Sequence, residues 1–190
     1  MMHKLITLSL LLIPVNVSAL EIVGVEIPEQ VTLLDPGNRI NLNGAGIRSK
    51  FVFNIYIGAL YLKTQSSDVD TILNMKGQKR VMMHILYDEV SKEKLINGWN
   101  DGFSNNHSSE EFAKLQARLT QFNSLFTTVK KGDVITLDLL PDIGTEVRIN
   151  EEIKGMIPGN DFYQALLKVW LGDSPADGTL KKAMLGIKDE

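Results

Sequence analysis

The chain contains no cysteine. It therefore has no disulfide, no thiol nucleophile and no thiolate metal site, and its fold must rest on its apolar core alone. Histidine is nearly as scarce: His3, His84 and His107 are too few and too scattered to build a metal site or a catalytic triad. His84 sits inside an apolar strand pattern and reads as a core or interface residue, and His107 falls in a polar loop. No nucleophile elbow, P-loop or dinucleotide glycine pattern is present. Gly44 and Gly46 are not followed by a helical pattern, so they cradle no phosphate. The carboxylate pairs Glu110-Glu111 and Glu151-Glu152 are neighbours in sequence and read as solvated. The net charge is only −3, with acids and bases interspersed; without a basic face, nucleic acid is an unsuitable partner. No catalytic residue, metal or cofactor is expected from these patterns.

One long apolar run is present, and it lies at the amino terminus. His3 and Lys4 form a short basic region, Leu5–Pro14 an apolar stretch, and Val17-Ser18-Ala19 a small-residue box. This is the layout of a secretory signal peptide, with an apolar stretch too short to span a bilayer. Residues 1–19 are expected to be removed after Ala19, and the absence of cysteine excludes lipoprotein attachment. No later run approaches the length needed to cross a membrane. The expectation is a secreted protein, periplasmic in a Gram-negative cell.

Residues 20–190 carry no repeat, low-complexity run or linker, and about 170 residues suffice for one domain with a sizeable core. Glu21–Ile27 reads as a strand, Val31–Leu34 as a second, and Asp35-Pro36-Gly37-Asn38 as a turn. Arg39–Asn43 leads into a flex point at Gly44-Ala45-Gly46, and a long strand then ends near Leu62. Ser67 caps a short helix through Met75, and Arg80–Leu86 is a buried strand. Ser91 caps a helix with Leu95, Trp99 and Phe103 on one face; Ser108 or Ser109 starts another along Phe112, Leu115, Leu119 and Phe122. Asp133–Leu140 alternates as a strand, and Val147–Asn150 with Ile153–Ile157 reads as a hairpin. Asn160 begins the last long helix, stopped near Gly172, before a short one over Leu180–Leu185. Strands and helices segregated in this way predict an α+β fold, with helices packed on one face of a largely antiparallel sheet.

The stretch Gly44–Lys63, GAGIRSKFVFNIYIGALYLK, carries the strongest functional signal. From Phe51 to Tyr61 the odd positions are apolar or aromatic, while the even ones mix Asn54 and Tyr56 with Val52, Gly58 and Leu60. Period-two geometry puts the two sets on opposite faces. Arg48 at the mouth of this strand supplies a cation beside a phenol and apolar surface. That combination suits a ligand with an anionic head and an aliphatic body. The competing reading is an edge strand with a solvated arginine, and for Tyr56 a locally capped strand tyrosine.

The string G-x-G-I-R, then K-F, then an apolar strand ending I-G-A-L-Y-L, resembles the chalcone isomerase family, most of all its bacterial secreted members. Ile157–Gly186, IPGNDFYQALLKVWLGDSPADGTLKKAMLG, is similar to the family's last helix, its W-L-G-D-x-P turn and its end. The resemblance spans roughly Glu21 to Gly186 and implies the family's open-faced β-sandwich. In the catalytic plant members an arginine and threonine work with a tyrosine, a lysine and an asparagine read as Y-S-x-K-x-x-x-N. Arg48 matches the arginine, and the threonine position falls near Asn54 or Ile55. Aligned on Ser91 and Asn97, this chain places Val90 at the tyrosine and Glu93 at the lysine. Lys94 lies one position, or about 100°, around the helix. Asn97 alone survives, and loss of the phenol and cation removes the groups that would stabilise a ketone oxyanion.

In the fatty-acid-binding branch an arginine and a tyrosine grip the carboxylate, and Arg48 and Tyr56 match them by motif. On a straight strand, eight steps of about 3.3 Å would hold these two about 26 Å apart. Either the chain bends at Ser49-Lys50, or Arg48 acts without Tyr56. The expectation is an exported, non-catalytic binder of a small amphipathic anion such as a fatty acid, held by Arg48, Tyr56, Asn54 and Asn97. The alternatives are an intramolecular lyase or isomerase acting on an enone-like substrate, and a scaffold that binds a protein partner and no ligand.

Overall fold

The computed structural model describes residues 18–33 and 38–187. The proposed signal segment up to Val17 and the turn residues Asp35-Pro36-Gly37 lie outside the described residues. At the start of the domain, Val23 and Gly24 take positive φ and fold the expected single strand into a hairpin of β1 (Ala19–Ile22) and β2 (Val25–Pro28). β3 (Gln30–Thr32) follows, then β4 (Arg39–Lys50) and β5 (Phe53–Leu62).

Two expectations change along these strands. The expected flex point is a bulge and not a break: β4 continues through Gly44 and Gly46, with its register against β5 shifting between Leu42 and Gly44. The chain reverses instead at Phe51-Val52, inside what the alternation marked as continuous strand. Apolar residues occupy both corners of that turn, so the usual Gly, Asn or Pro signal is missing.

The middle of the chain is helical. α1 (Val69–Asn74) is capped by Asp68, one residue beyond the expected Ser67, through a 2.7 Å bond from the Thr71 N–H. β6 (Lys79–Ile85) and the short β7 (Glu89–Val90) precede α2 (Lys92–Asn105) and α3 (Ser109–Ser124). Ser91 caps α2 by accepting from the Lys94 N–H. Ser108 and Glu111 form a capping box on α3, satisfying two backbone donors reciprocally. β8 (Val129–Lys130) pairs with β7. β9 (Val134–Leu140), β10 (Gly144–Ile149) and β11 (Glu152–Pro158) form a meander, followed by α4 (Asn160–Leu171) and α5 (Gly178–Met184).

The main sheet has seven strands in the order β11-β10-β9-β6-β5-β4-β3, every pair antiparallel. It is curled, and α2, α3 and α4 pack on one face. Their apolar stripes meet Leu60, Val81, Leu137 and Val147 of the sheet in the principal core, around Phe103, Phe122, Phe162 and Trp170. A smaller core on the other face joins Ile57, Ala59 and Tyr61 of β5 to Ile27, Leu33 and Ile40. The odd and even faces of β5 are thus both buried from Tyr56 onward. This is the expected α+β fold, an open-faced β-sandwich.

α5 seats directly on β4, and that contact explains the glycines. A Cβ on Gly44 would collide with the Ala183 carbonyl oxygen, and one on Gly46 would lie 2.5 Å from the Ala183 Cβ. Asn43 clamps the same junction. Its side-chain N–H₂ donates to the carbonyls of Ser66 and Met184 at 2.9 and 2.8 Å, and its carbonyl accepts from the Ser66 N–H.

Candidate functional site

The β4–β5 hairpin decides the geometry of the site. Because the chain reverses at Phe51-Val52, Arg48 and Tyr56 become direct cross-strand partners. The Arg48 guanidinium carbon lies 5.7 Å from the centre of the Tyr56 ring, within cation–π range. The bend sits two residues beyond Ser49-Lys50, and it removes the separation that a straight strand would impose.

A bulge refines the arrangement. Ser49 pairs with Asn54 while Arg48 pairs with Tyr56, which leaves Ile55 as an extra residue on β5. Its carbonyl accepts from both the Leu86 and Tyr87 N–H groups. A bulge resets the side-chain alternation, so Phe53, Ile55 and Tyr56 all line one cleft while Asn54 does not. Asn54 is exposed, and its side-chain oxygen accepts from the Ser49 hydroxyl at 3.1 Å. Asn54, expected at the ligand site, thus lies outside the lining of this cleft.

The cleft has a volume of about 550 Å³, inside the range of roughly 300–1,000 Å³ common for small-molecule sites. Its walls come from Ile55, Met83 and Ile85 of the sheet, Leu95 and Trp99 of α2, and Val169 of α4. Arg48 and Tyr56 sit on one side. From α2, Lys94, Asn97 and Asp101 contribute polar groups at helical spacings of three and four, the period that places residues on one face. Asn97 thus reaches the cleft as expected from the motif. Lys94 does so too, although sequence alignment had put it a third of a turn away. Glu93 stays outside, exposed, and Val90 lines the cleft where the plant pattern carries tyrosine. The cation is displaced by one residue and kept; Val90 supplies no phenol, although Tyr87, three residues earlier, also lines the cleft.

Two buried donors at this cleft, on Arg48 and Trp99, lack acceptors, while Glu89 and Asp101 add carboxylates to its lining. Arg48 forms no ion pair among the described residues, and its buried Nε has no hydrogen-bond partner. The nearby carboxylate of Asp177 is occupied elsewhere. One oxygen caps α5 through the Thr179 and Leu180 N–H groups, and the other accepts from the Ser49 N–H. The Tyr56 hydroxyl accepts from the Trp170 Nε1–H at 2.9 Å, which leaves its own proton free to donate. Burial raises the Tyr56 pKa; the Arg48 charge and the Trp170 bond oppose this, and Asp177 adds to it. The phenol is therefore a neutral donor at physiological pH and not a phenolate base. Trp99 packs edge-on against Phe122 and Trp170 in the core. Yet it also lines the cleft; it is only 3% exposed, and its Nε1–H has no partner. Its place on the same helix face as Leu95, one turn on, was the available signal. An unpaired buried donor costs on the order of 1–3 kcal/mol, so the Arg48 Nε–H and Trp99 Nε1–H are left with an unmet demand for an acceptor at this cleft.

His84 lies away from this cleft, half-buried in β6, where burial lowers its pKa. No group of side chains suited to a metal ion occurs among the described residues, and no helix there is long and apolar enough to cross a membrane.

A curled antiparallel sheet with helices on one face and a cleft under the β4–β5 hairpin is the architecture of chalcone isomerase-fold proteins. The chain belongs to the chalcone isomerase-like family, whose sequence profile it matches over residues 19–186. Among solved structures it is similar to a fatty-acid binding protein of Arabidopsis thaliana, with a TM-score of 0.63 and 15% identity. The match covers 83% of this chain and 96% of that one. No curated protein sequence matches the chain.

Proposed function

We propose that this protein is an exported, non-catalytic binder of a small amphipathic anion, and that the ligand is a fatty acid. The observation that carries the reading is the set of unpaired donors from Arg48, Tyr56 and Trp99 facing apolar walls. A carboxylate supplies the acceptors those donors lack, and an aliphatic tail matches Met83, Ile85, Leu95 and Val169. Guanidinium remains charged and presents a planar fork suited to both carboxylate oxygens. The fatty-acid binding protein with the same fold adds support. Against catalysis, the motif position of the plant tyrosine holds Val90, and Tyr56 is a protonated phenol; Tyr87 is the cleft's other phenol. Lys94 and Asn97 keep the isomerase reading open to test, since both line the cleft.

Export rests on the amino-terminal pattern. Cleavage after Ala19 would leave the other three β1–β2 pairs, from Leu20 to Ile22, intact.

The deciding experiment is native mass spectrometry of protein purified from its own exported fraction, followed by lipid extraction. A bound fatty acid on a chain starting at Leu20 is the expected result. A retained amino-terminal segment would refute cleavage. Saturable conversion of a chalcone, lost on Arg48→Ala, would replace the binding reading with an enzymatic one.

A further inference from the structure

The turn between β4 and β5 is built against local preference. Lys50 pairs with Phe53, so Phe51 and Val52 form a two-residue hairpin loop. Phe51 adopts φ +56°, a left-handed conformation that such turns ordinarily assign to glycine or asparagine. Instead the corner carries a phenylalanine 91% exposed and a valine 88% exposed, followed by Phe53 at 52%. Phe53 packs edge-on against Tyr87 with ring centres 5.6 Å apart, but Phe51 and Val52 stand in water on a strained turn; a strained and exposed apolar feature of this kind marks a functional contact.

We propose that this hairpin tip is a membrane-docking element that inserts Phe51 and Val52 into a lipid surface and brings the cleft mouth to it. The choice of a lipid surface rests on the fatty-acid reading of the cleft. Phe51 and Phe53 line the same cleft as Arg48 and Tyr56, so the tip and the site are continuous. A ligand with an aliphatic tail partitions into bilayers, and a site whose rim enters the bilayer can exchange that ligand without passing it through water. Charge agrees: from Ser49 to Asn54 the sole ionised side chain is Lys50, suited to the phosphate layer above an inserted apolar corner. Shape agrees as well. A convex two-residue corner covers only a fraction of the roughly 800 Å² per partner of a standard protein interface, but it can enter a lipid surface.

The test is co-sedimentation of the mature, ligand-free protein with vesicles of phosphatidylethanolamine and phosphatidylglycerol, alongside fatty-acid binding in solution. The parent should sediment. Val52→Asp should weaken sedimentation by about ten-fold or more, and because Val52 does not line the cleft, fatty-acid binding should persist. Phe51→Gly separates docking from folding: it should raise the Tm by about 2–4 °C as the left-handed strain is relieved, yet weaken sedimentation comparably. Fatty-acid binding by a parent that does not sediment overturns the docking proposal alone. Sedimentation without fatty-acid binding keeps the docking and removes the cleft's assigned ligand. If both variants sediment like the parent, or if the tip instead forms a dimer that Val52→Asp dissolves, the proposal is wrong.

Discussion

Replacing Arg48 with alanine tests the cleft most directly, because the arginine is available to a ligand without being required by the fold. Its guanidinium makes no ion pair among the described residues, and its one aromatic contact is the Tyr56 ring at 5.7 Å. Loss of such a cation–π contact costs about 0.5–1 kcal/mol at an exposed site, or roughly 1–4 °C in Tm for a domain of this size. A charge-assisted bond to a carboxylate contributes about 1.5–3 kcal/mol, so Arg48→Ala should weaken fatty-acid binding roughly 10- to 150-fold. Arg48→Lys should restore part of this, since an ammonium keeps the charge but lacks the fork. The assay is displacement of a fluorescent fatty acid by dodecanoic acid and, separately, by dodecanol. The parent should prefer the acid and Arg48→Ala should lose the preference, while affinity for the alcohol barely changes. Equal loss for acid and alcohol would mean that the substitution deforms the cleft; no loss for either would leave the arginine outside the site. Tyr56→Phe is a less clean probe. It strands the buried Trp170 Nε1–H, a defect worth on the order of 1–3 kcal/mol in stability, so its binding data must be read beside its melting curve.

Two further outcomes are expected. Gly44→Ala should destabilise the protein by roughly 1–3 kcal/mol through overpacking against the Ala183 carbonyl, a fall of about 2–12 °C in Tm; an unchanged melt would show that α5 can lift from β4 freely. Lys79 is 1% exposed, and burial pushes its pKa from 10.5 down to about 8. The unfolded chain holds that proton more tightly, so this group opposes folding below pH 8, and its contribution to stability rises as pH climbs from about 8 to 10.5. Lys79→Met should therefore raise the Tm at pH 7 and flatten the rise at alkaline pH. The Leu73 carbonyl that Lys79 now contacts keeps its bond from Gln164. A lower Tm for the methionine variant at pH 7 would refute the argument.

Much of the fold was legible because it depends on short-range chemistry. Ser91 and Ser108 cap α2 and α3 because a side-chain oxygen immediately ahead of a helix accepts from the free N–H two or three residues on, wherever the helix lies. The stripe of Leu95, Trp99 and Phe103 faced a core because its period matches one side of a helix. Arg48, Tyr56 and Asn97 were identifiable by motif, as residue types suited to an anion beside apolar surface.

What the sequence by itself determined was the α+β class, the elements and the kinds of groups available to bind a ligand. Tertiary structure decided which of those groups meet. The reversal at Phe51-Val52 carries no turn-forming residue, so alternation alone could only extend the strand and hold Arg48 away from Tyr56. Pairing with β4 on one side and β6 on the other is what folds it. The Ile55 bulge turned Asn54 out of the cleft, and the packing of α2 turned Lys94 in. The vacancy beside Gly44 and Gly46 is filled by α5, more than 130 residues later in the chain. Each of these outcomes depends on a neighbour distant in sequence, and local periodicity contains no information about which distant surface will arrive.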